Sequence, residues 1–378
     1  MAPALVVMLG GMDGGPSEER LHRALEASAL DTIDAAIASG RFERVLFLAD
    51  RAPDLDVPDG VTVEVDRASE TFHYGRRLVR AIAEHHLDAV AYVGAGSAPL
   101  LGGDTLAALV APIAHAPESG RVVTNNRFSA DCFALAPATL LARLDPPPPS
   151  DNGVPRRLRD EHGVEVIELP RTLETQYNLD SPVDLLALHL TRRARPRLGA
   201  VLAEADASGD LRHPRMHDAC RVFVDRGAEV MLAGRVSSNT WAYLEREAAC
   251  RVRLVAEERG MQAAGTDVDG TARSLLGQWI AEAGAERAFG SLLPELCDAA
   301  FVDIRPALVH LGIRPSRADR FAADLGRADL IEDPALRAIV EAANASPVPV
   351  VLGGHSLVGG VTQLLVQWAW DEHDAGRL

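Results

Sequence analysis

The run Ala4 to Leu9 (A-L-V-V-M-L) is apolar throughout and closes on Gly10-Gly11, after which a helical pattern begins. Backbone N–H groups of a glycine-rich turn that enters a helix point outward and can hold phosphate oxygens. Gly10 and Gly11 are therefore candidate phosphate-binding residues, in a loop that continues Met12-Asp13-Gly14-Gly15. Such a pair is also a common strand-to-helix turn. The chain contains no lysine; all 38 of its basic side chains are arginine. That removes Schiff-base chemistry, a lysine general base and the lysine of a G-x-x-x-x-G-K-[ST] loop. Side-chain contact with phosphate falls to Arg, which binds it in a bidentate manner. Arg20 and Arg23 follow the loop on a predicted helix, where a solvated face is the alternative reading.

A second group of residues lies in the C-terminal half. Gly354-His355-Ser356-Leu357-Val358-Gly359 resembles a G-x-S-x-G nucleophile elbow with one residue too many. The elbow needs Asp and then His later in the chain, and only Asp371-Glu372-His373-Asp374 follows, with no room for a strand. A serine hydrolase is excluded on that order. The stretch reads better as an anion-binding turn between strand and helix. Other predicted strands of this half also end in polar clusters that contain Arg235, Glu258, Arg259, Asp303 and Arg305. In an open parallel sheet the carboxyl ends of the strands line one crevice. Arg259, Arg305, His355 and Ser356 are thus candidate ligand-binding residues, with Arg259 and Arg305 bearing the charge. The alternative is that strand ends are polar loops whose carboxylates neutralise their arginines.

These residues need a framework, and the hydrophobic pattern supplies one. Strands are predicted at Ala4 to Leu9, Val45 to Ala49, Val61 to Val65, Ala89 to Val93 and Val164 to Leu169, and helices at Leu21 to Ser39 and Arg76 to His86. Gly40 is placed to end the first helix. This alternation argues for a mostly parallel sheet covered by helices. Pro146-Pro147-Pro148-Pro149 predicts an extended surface segment. The stretch Arg192 to Arg197 (R-R-A-R-P-R) reads as a solvated linker. Beyond it a second series follows, with strands at Glu229 to Ala233, Arg251 to Ala256, Ala299 to Asp303 and Val348 to Leu352. Helices separate them at Thr240 to Glu247, Ala272 to Ala288, Arg317 to Leu325, Pro334 to Ala343 and Val361 to Trp370. The expected fold class is α/β in two domains, 1–191 and 198–378, each a mostly parallel sheet flanked by helices.

Three stretches of the first half, in order, resemble the MobA-like nucleotidyltransferase superfamily. They are Leu9-Gly10-Gly11-Met12-Asp13-Gly14-Gly15, then Gly96-Ser97-Ala98-Pro99-Leu100, then Asn178-Leu179-Asp180-Ser181-Pro182-Val183-Asp184-Leu185. The resemblance covers roughly residues 4 to 190 and implies a Rossmann-like GT-A fold for them. It implies Mg²⁺-dependent attack on the α-phosphate of a nucleoside triphosphate, where the metal bridges the developing charge. By the same resemblance Asp180 and Asn178 would serve the metal, Ser97 stands where the family has its first metal Asp, and Asn125 and Asn126 lie where it contacts the second substrate. Two departures stand out: Ser97 is neutral, and the loop lacks the family's Arg and Lys. Asn125-Asn126 is also a common turn, and Ser181-Pro182 a good helix start that leaves Asp180 an exposed turn residue.

Composition narrows the partners. The formal charge of -16 repels nucleic acid and anionic lipid, and 4% aromatic residues leave little for base stacking. Four scattered cysteines make neither a C-x-x-C zinc pattern nor a disulfide framework, and no apolar run approaches the roughly 20 residues of a membrane span. A cytoplasmic protein with reduced thiols is expected; nothing in the sequence sets its oligomeric state. The expected function is Mg²⁺-dependent nucleotidyl transfer from a nucleoside triphosphate to a small phosphorylated or alcohol substrate. The alternative is a nucleotide- or metabolite-binding protein in which that site has decayed.

Overall fold

A computed structural model describes residues 2–10, 12, 14–67, 71–261, 265–266 and 268–378. The chain separates into two compact units. The first comprises Met1–Met12, His22–Asn178 and Ala194–Val201; the second comprises Asp13–Leu21, Leu179–Arg193 and Leu202–Leu378.

The first unit is built on a seven-stranded sheet of β1 (Ala4–Leu9), β2 (Arg44–Ala49), β3 (Thr62–Val65), β4 (Val90–Gly94), β5 (Arg121–Thr124), β6 (Cys132–Ala136) and β7 (Glu165–Glu168). Their order across the sheet is β3-β2-β1-β4-β6-β5-β7. β1 sits between β2 and β4 and runs parallel to both, with Leu5 beside Val45 on one side and Ala91 on the other. A strand in that position is covered on both faces, which is why its sequence is a continuous apolar run. β6 runs antiparallel to β4 and β5, and β7 is parallel to β5. The sequence reading anticipated neither β5 nor β6, both short and separated by a polar loop. Val6, Leu46, Tyr92, Phe133, Leu135 and Leu158 share the core on one face of the sheet.

Local rules explain the flanking helices. The helix Pro16–Ser39 begins five residues earlier than the apolar periodicity suggests, with proline in its first turn, and Gly40 follows it at φ 63°. His73 caps the helix Tyr74–Glu84 by accepting from the Arg76 N–H at 3.4 Å. The proline run is not merely surface: Pro148 is buried and its carbonyl accepts from the Gly75 N–H at 3.0 Å. A Cβ on Gly75 would lie 2.6 Å from that oxygen. The stretch read as a solvated linker is likewise ordered. Arg192, at φ 55°, ends the helix Pro182–Thr191, and Pro196 opens the helix Pro196–Ala207. Asp31 accepts from the backbone N–H groups of Arg197 at 3.0 Å and Leu198 at 2.9 Å, and the Arg197 side chain pairs with Asp34 at 2.7 Å.

The second unit holds a four-stranded sheet of β8 (Glu229–Gly234), β9 (Arg251–Ala256), β10 (Ala299–Asp303) and β11 (Val350–Gly353), in the order β11-β10-β8-β9. Every neighbouring pair is parallel. Met231, Phe289, Val302, Ile339 and Leu352 meet in its core. The helix expected over Ala272 to Ala288 is interrupted: Leu275–Ala283 ends at Gly284, whose φ of 76° suits only glycine. No helix among the described residues is long and apolar enough to cross a membrane, and all four cysteines are buried free thiols.

Candidate functional site

In the first unit β2 and β3 extend the sheet from one side of β1, and β4 from the other. The connections that leave the carboxyl ends of β1 and β4 run to opposite sides there, which is where an open α/β sheet accepts ligands. Gly10 leaves β1 at this point and is exposed; a Cβ on it would lie 3.2 Å from Cβ of Asp50, so glycine lets the turn lie close to the end of β2. Gly11 lies outside the described residues. Beyond β4, Ser97 N–H donates to the Gly94 carbonyl at 2.9 Å, and Ala98 turns through φ 47°. Ser97 and Asn178 face each other in an isolated antiparallel bridge, and Asn178 Oδ1 accepts from the Ala98 N–H at 3.4 Å. The fold therefore joins two of the residues that the resemblance placed at the metal.

That pair does not fit Mg²⁺. Mg²⁺ is held by one or two carboxylates with phosphate and water, whereas Ser97 and Asn178 are neutral and the Asn178 oxygen is turned to a backbone amide. Among the described residues no group of three or more His, Cys, Asp or Glu side chains is arranged to hold a metal ion.

Asn125 is held within the fold. It is buried, and its amide donates to Asp131 Oδ2 at 2.9 Å and to the Thr175 carbonyl at 3.0 Å. Its oxygen accepts from the N–H groups of Asp131 at 3.1 Å and Cys132 at 3.3 Å. Both donors and both acceptor positions of the amide are thereby filled. Asn126 makes a tight turn instead, its Oδ1 accepting from the Phe128 N–H at 3.1 Å.

Two carboxyl groups that the sequence reading passed over, Asp131 and Asp151, lie beside β4. The Gly94 N–H points to the Asp131 carbonyl at 3.4 Å, which sets Asp131 at the end of β4. Tyr92, on β4, donates its hydroxyl to Asp151 Oδ2 at 3.1 Å. Burial pushes the Asp151 carboxyl up to about 7, and the Asp131 charge adds to it. Burial also keeps the Tyr92 and Tyr74 phenols well above their ordinary range. A carboxyl group shifted into that range is one that acid–base chemistry can use. The one signal of Asp151 in the sequence is its place just after the proline run.

In the second unit β8 and β10 are the neighbours at which the strand order reverses. Gly234 ends β8 at φ 120°, and a Cβ there would lie 2.4 Å from Cβ of Asp303. Arg235 grips Asp303 with both arms of its fork, Nε to Oδ2 at 2.6 Å and Nη2 to Oδ1 at 3.1 Å. Arg305 Nη2 donates to both oxygens of the buried Asp324 at 2.7 Å. Burial raises Asp324 to about 6 against the pull of Arg305. Ser356 Oγ donates to Asp184 Oδ1 at 2.6 Å, while Asp184 Oδ2 accepts from the N–H groups of Asp180 and Ser181, each at 2.8 Å. Burial, then the Asp180 charge, pushes Asp184 up to about 8.

The predicted residues of this half are thus distributed otherwise than the sequence suggested. Arg305 and Ser356 are held by Asp324 and Asp184, neither of which was nominated for this crevice. Glu258 accepts from Thr266 Oγ1 at 3.0 Å, and Arg259 is exposed in the segment after β9. His355 and Asp180, assigned to different sites, face each other instead, Nδ1 to Oδ2 at 3.9 Å and both about half exposed. Ser181 starts its helix with a capping box closed by Asp184.

No protein-family model matches the chain, and no curated protein matches it in sequence. Solved structures show likeness in fold. A cytidylyltransferase from Leptospira borgpetersenii is 14% identical with a TM-score of 0.36, over 55% of this chain and 94% of its own. The 2-C-methyl-D-erythritol 4-phosphate cytidylyltransferase from Thermus thermophilus is 14% identical with a TM-score of 0.33, over 55% of this chain and 100% of its own. A mannosyltransferase from Pyrobaculum calidifontis is 15% identical with a TM-score of 0.30, over 83% of this chain and 87% of its own.

Proposed function

We propose that the first unit binds a nucleoside triphosphate at the carboxyl ends of β1 and β4, with its phosphates over the turn that Gly10 opens, and presents it to a small phosphorylated or alcohol substrate. One observation carries this reading: the strand order reverses between β1 and β4, and both Gly10 and the Ser97–Asn178 bridge fall at that reversal. Because Ser97 and Asn178 are a poor donor pair for Mg²⁺, the reading favoured is nucleotide recognition on a nucleotidyltransferase fold. Nucleotidyl transfer is the second reading, and Asp151 is the observation that favours it. A carboxyl group titrating near neutrality at this edge would take the proton of an acceptor hydroxyl.

Thermal unfolding of the full chain with a panel of nucleoside triphosphates, with and without Mg²⁺, tests both. A specific ligand raises the apparent stability by mass action. Stabilisation by one nucleotide that Gly10→Val abolishes supports recognition, and release of pyrophosphate on adding acceptor alcohols supports transfer. No stabilisation by any nucleotide overturns both.

A further inference from the structure

Gly94 is the last residue of β4, and a close approach requires glycine there. A Cβ on it would lie 2.7 Å from Ser97 Oγ and 3.4 Å from Tyr92 Oη, so its absence lets both hydroxyls lie over the end of the strand. From Tyr92 the path continues to a carboxyl group, because the phenol donates to Asp151 Oδ2 at 3.1 Å. Ser97 and Asp151 are partly exposed, whereas Tyr92 is buried. The Tyr92 ring is fixed on two sides, edge-on to Tyr74 and tilted against Phe133, with centroids 5.2 Å apart in each pair. The segment that carries Asp151 is anchored too. The Asp151 carbonyl accepts from the Val154 N–H at 2.9 Å, and Asn152 accepts from the Ala130 N–H at 3.1 Å and from Ser129 Oγ at 2.9 Å. A phenol with no freedom to move thus meets a carboxyl group on a fastened segment.

We infer that Tyr92 is the positioning residue of the proton acceptor in the transfer reaction, its fixed hydroxyl holding Asp151 beside the Ser97 turn as the base for an acceptor hydroxyl. The inference rests on the transfer reading of the first unit. In that step the acceptor oxygen bonds to the α-phosphorus, and the bond from phosphorus to the pyrophosphate oxygen breaks with its electron pair. The acceptor's proton passes to the Asp151 carboxylate. Donation from Tyr92 favours that carboxylate, while burial and the Asp131 charge favour the acid. The opposition keeps both forms within reach near neutrality. Cys132 and Tyr74 are the other titratable groups on which the Asp151 charge acts, and burial keeps both protonated.

Carboxyl-carbon NMR of the full chain labelled at aspartate tests this without any ligand, the Asp151 signal being assigned by its loss in Asp151→Asn. Tyr92→Phe keeps the ring against Tyr74 and Phe133 and removes only the donor. It should raise the Asp151 midpoint by roughly one to two pH units, the effect of losing one hydrogen bond to a charged group. Asp131→Asn removes the like charge and should lower the midpoint, and two opposite shifts are not expected from a damaged fold. Pyrophosphate release from a nucleoside triphosphate, with glycerol phosphate as acceptor, should show a pH profile that moves upward with the midpoint in Tyr92→Phe. A midpoint that Tyr92→Phe leaves in place overturns the inference, whether or not pyrophosphate is released. So does a pH profile that stays put while the midpoint moves. A shifted midpoint in a protein that releases no pyrophosphate overturns the transfer reading, and with it the role of Asp151 as base.

Discussion

Ser356 gives its hydroxyl hydrogen bond to Asp184 across 2.6 Å, and 172 positions of sequence separate the two. Asp184 is at the third position of the helix Pro182–Thr191, and Ser356 follows β11. The same carboxyl group closes the capping box on Ser181. One side chain therefore caps the start of a helix and fastens a strand-to-helix turn, and it does so while fully buried.

The first prediction concerns pH. In an unfolded chain the Asp184 carboxyl ionises near pH ~4, whereas in the folded protein burial holds its proton until about 8. Between those values the folded state binds more protons than the unfolded one, so this group makes stability fall as pH rises from about 4 to about 8. The loss should amount to a few kcal/mol, as an order of magnitude. Asp184→Asn, which carries no charge at any pH, should make the decline shallower. Urea midpoints of both proteins across that range check it; identical slopes would show that Asp184 is ionised throughout.

Asn125→Ala should destabilise the first unit by roughly 2 kcal/mol or more, because it leaves the buried N–H of Cys132 without its partner and removes one of the two donors to the Thr175 carbonyl. Any nucleotide affinity, expressed per folded molecule, should stay unchanged. Denaturant titration and ligand binding together decide this, and a stable variant with lost binding would return Asn125 to the ligand.

Gly234→Ala should be among the most damaging single substitutions in the second unit. The new Cβ would lie 2.4 Å from Asp303 Cβ and 2.9 Å from the Asp303 carbonyl oxygen, at a backbone φ of 120°. Neither β8 nor β10 can yield without breaking the sheet, so a loss of roughly 3 kcal/mol or more, or insoluble protein, is expected. An unfolding midpoint near that of the unaltered protein would refute it.

Ser97→Asp restores a carboxylate at the end of β4. If a nucleotide binds over Gly10, this variant should bind it more tightly with Mg²⁺ than without, while the unaltered protein shows little difference. Titration with and without Mg²⁺ is the measurement; an equal Mg²⁺ effect in both proteins would place the metal elsewhere.

Much of the fold was legible locally. Continuous apolar runs such as Ala4 to Leu9 read as strands buried on both faces, and β1, β9 and β10 begin and end where the pattern does. Gly10 at the end of β1 and Ser181-Pro182 at a helix start were legible for the same reason: turns and caps depend on neighbours in sequence. The absence of lysine, and the chemistry it removes, needed no structure at all. Tertiary structure decided what the polar residues do. Strand order placed β6 antiparallel between β4 and β5, and so brought Asp131 to the end of β4. It gave Arg235 to Asp303, 68 positions away, and turned Asn125 inward onto Asp131, Cys132 and Thr175. A buried polar group must find a partner wherever the chain brings one. Which partner that is depends on the order of strands across a sheet, a property that no local run of residues encodes.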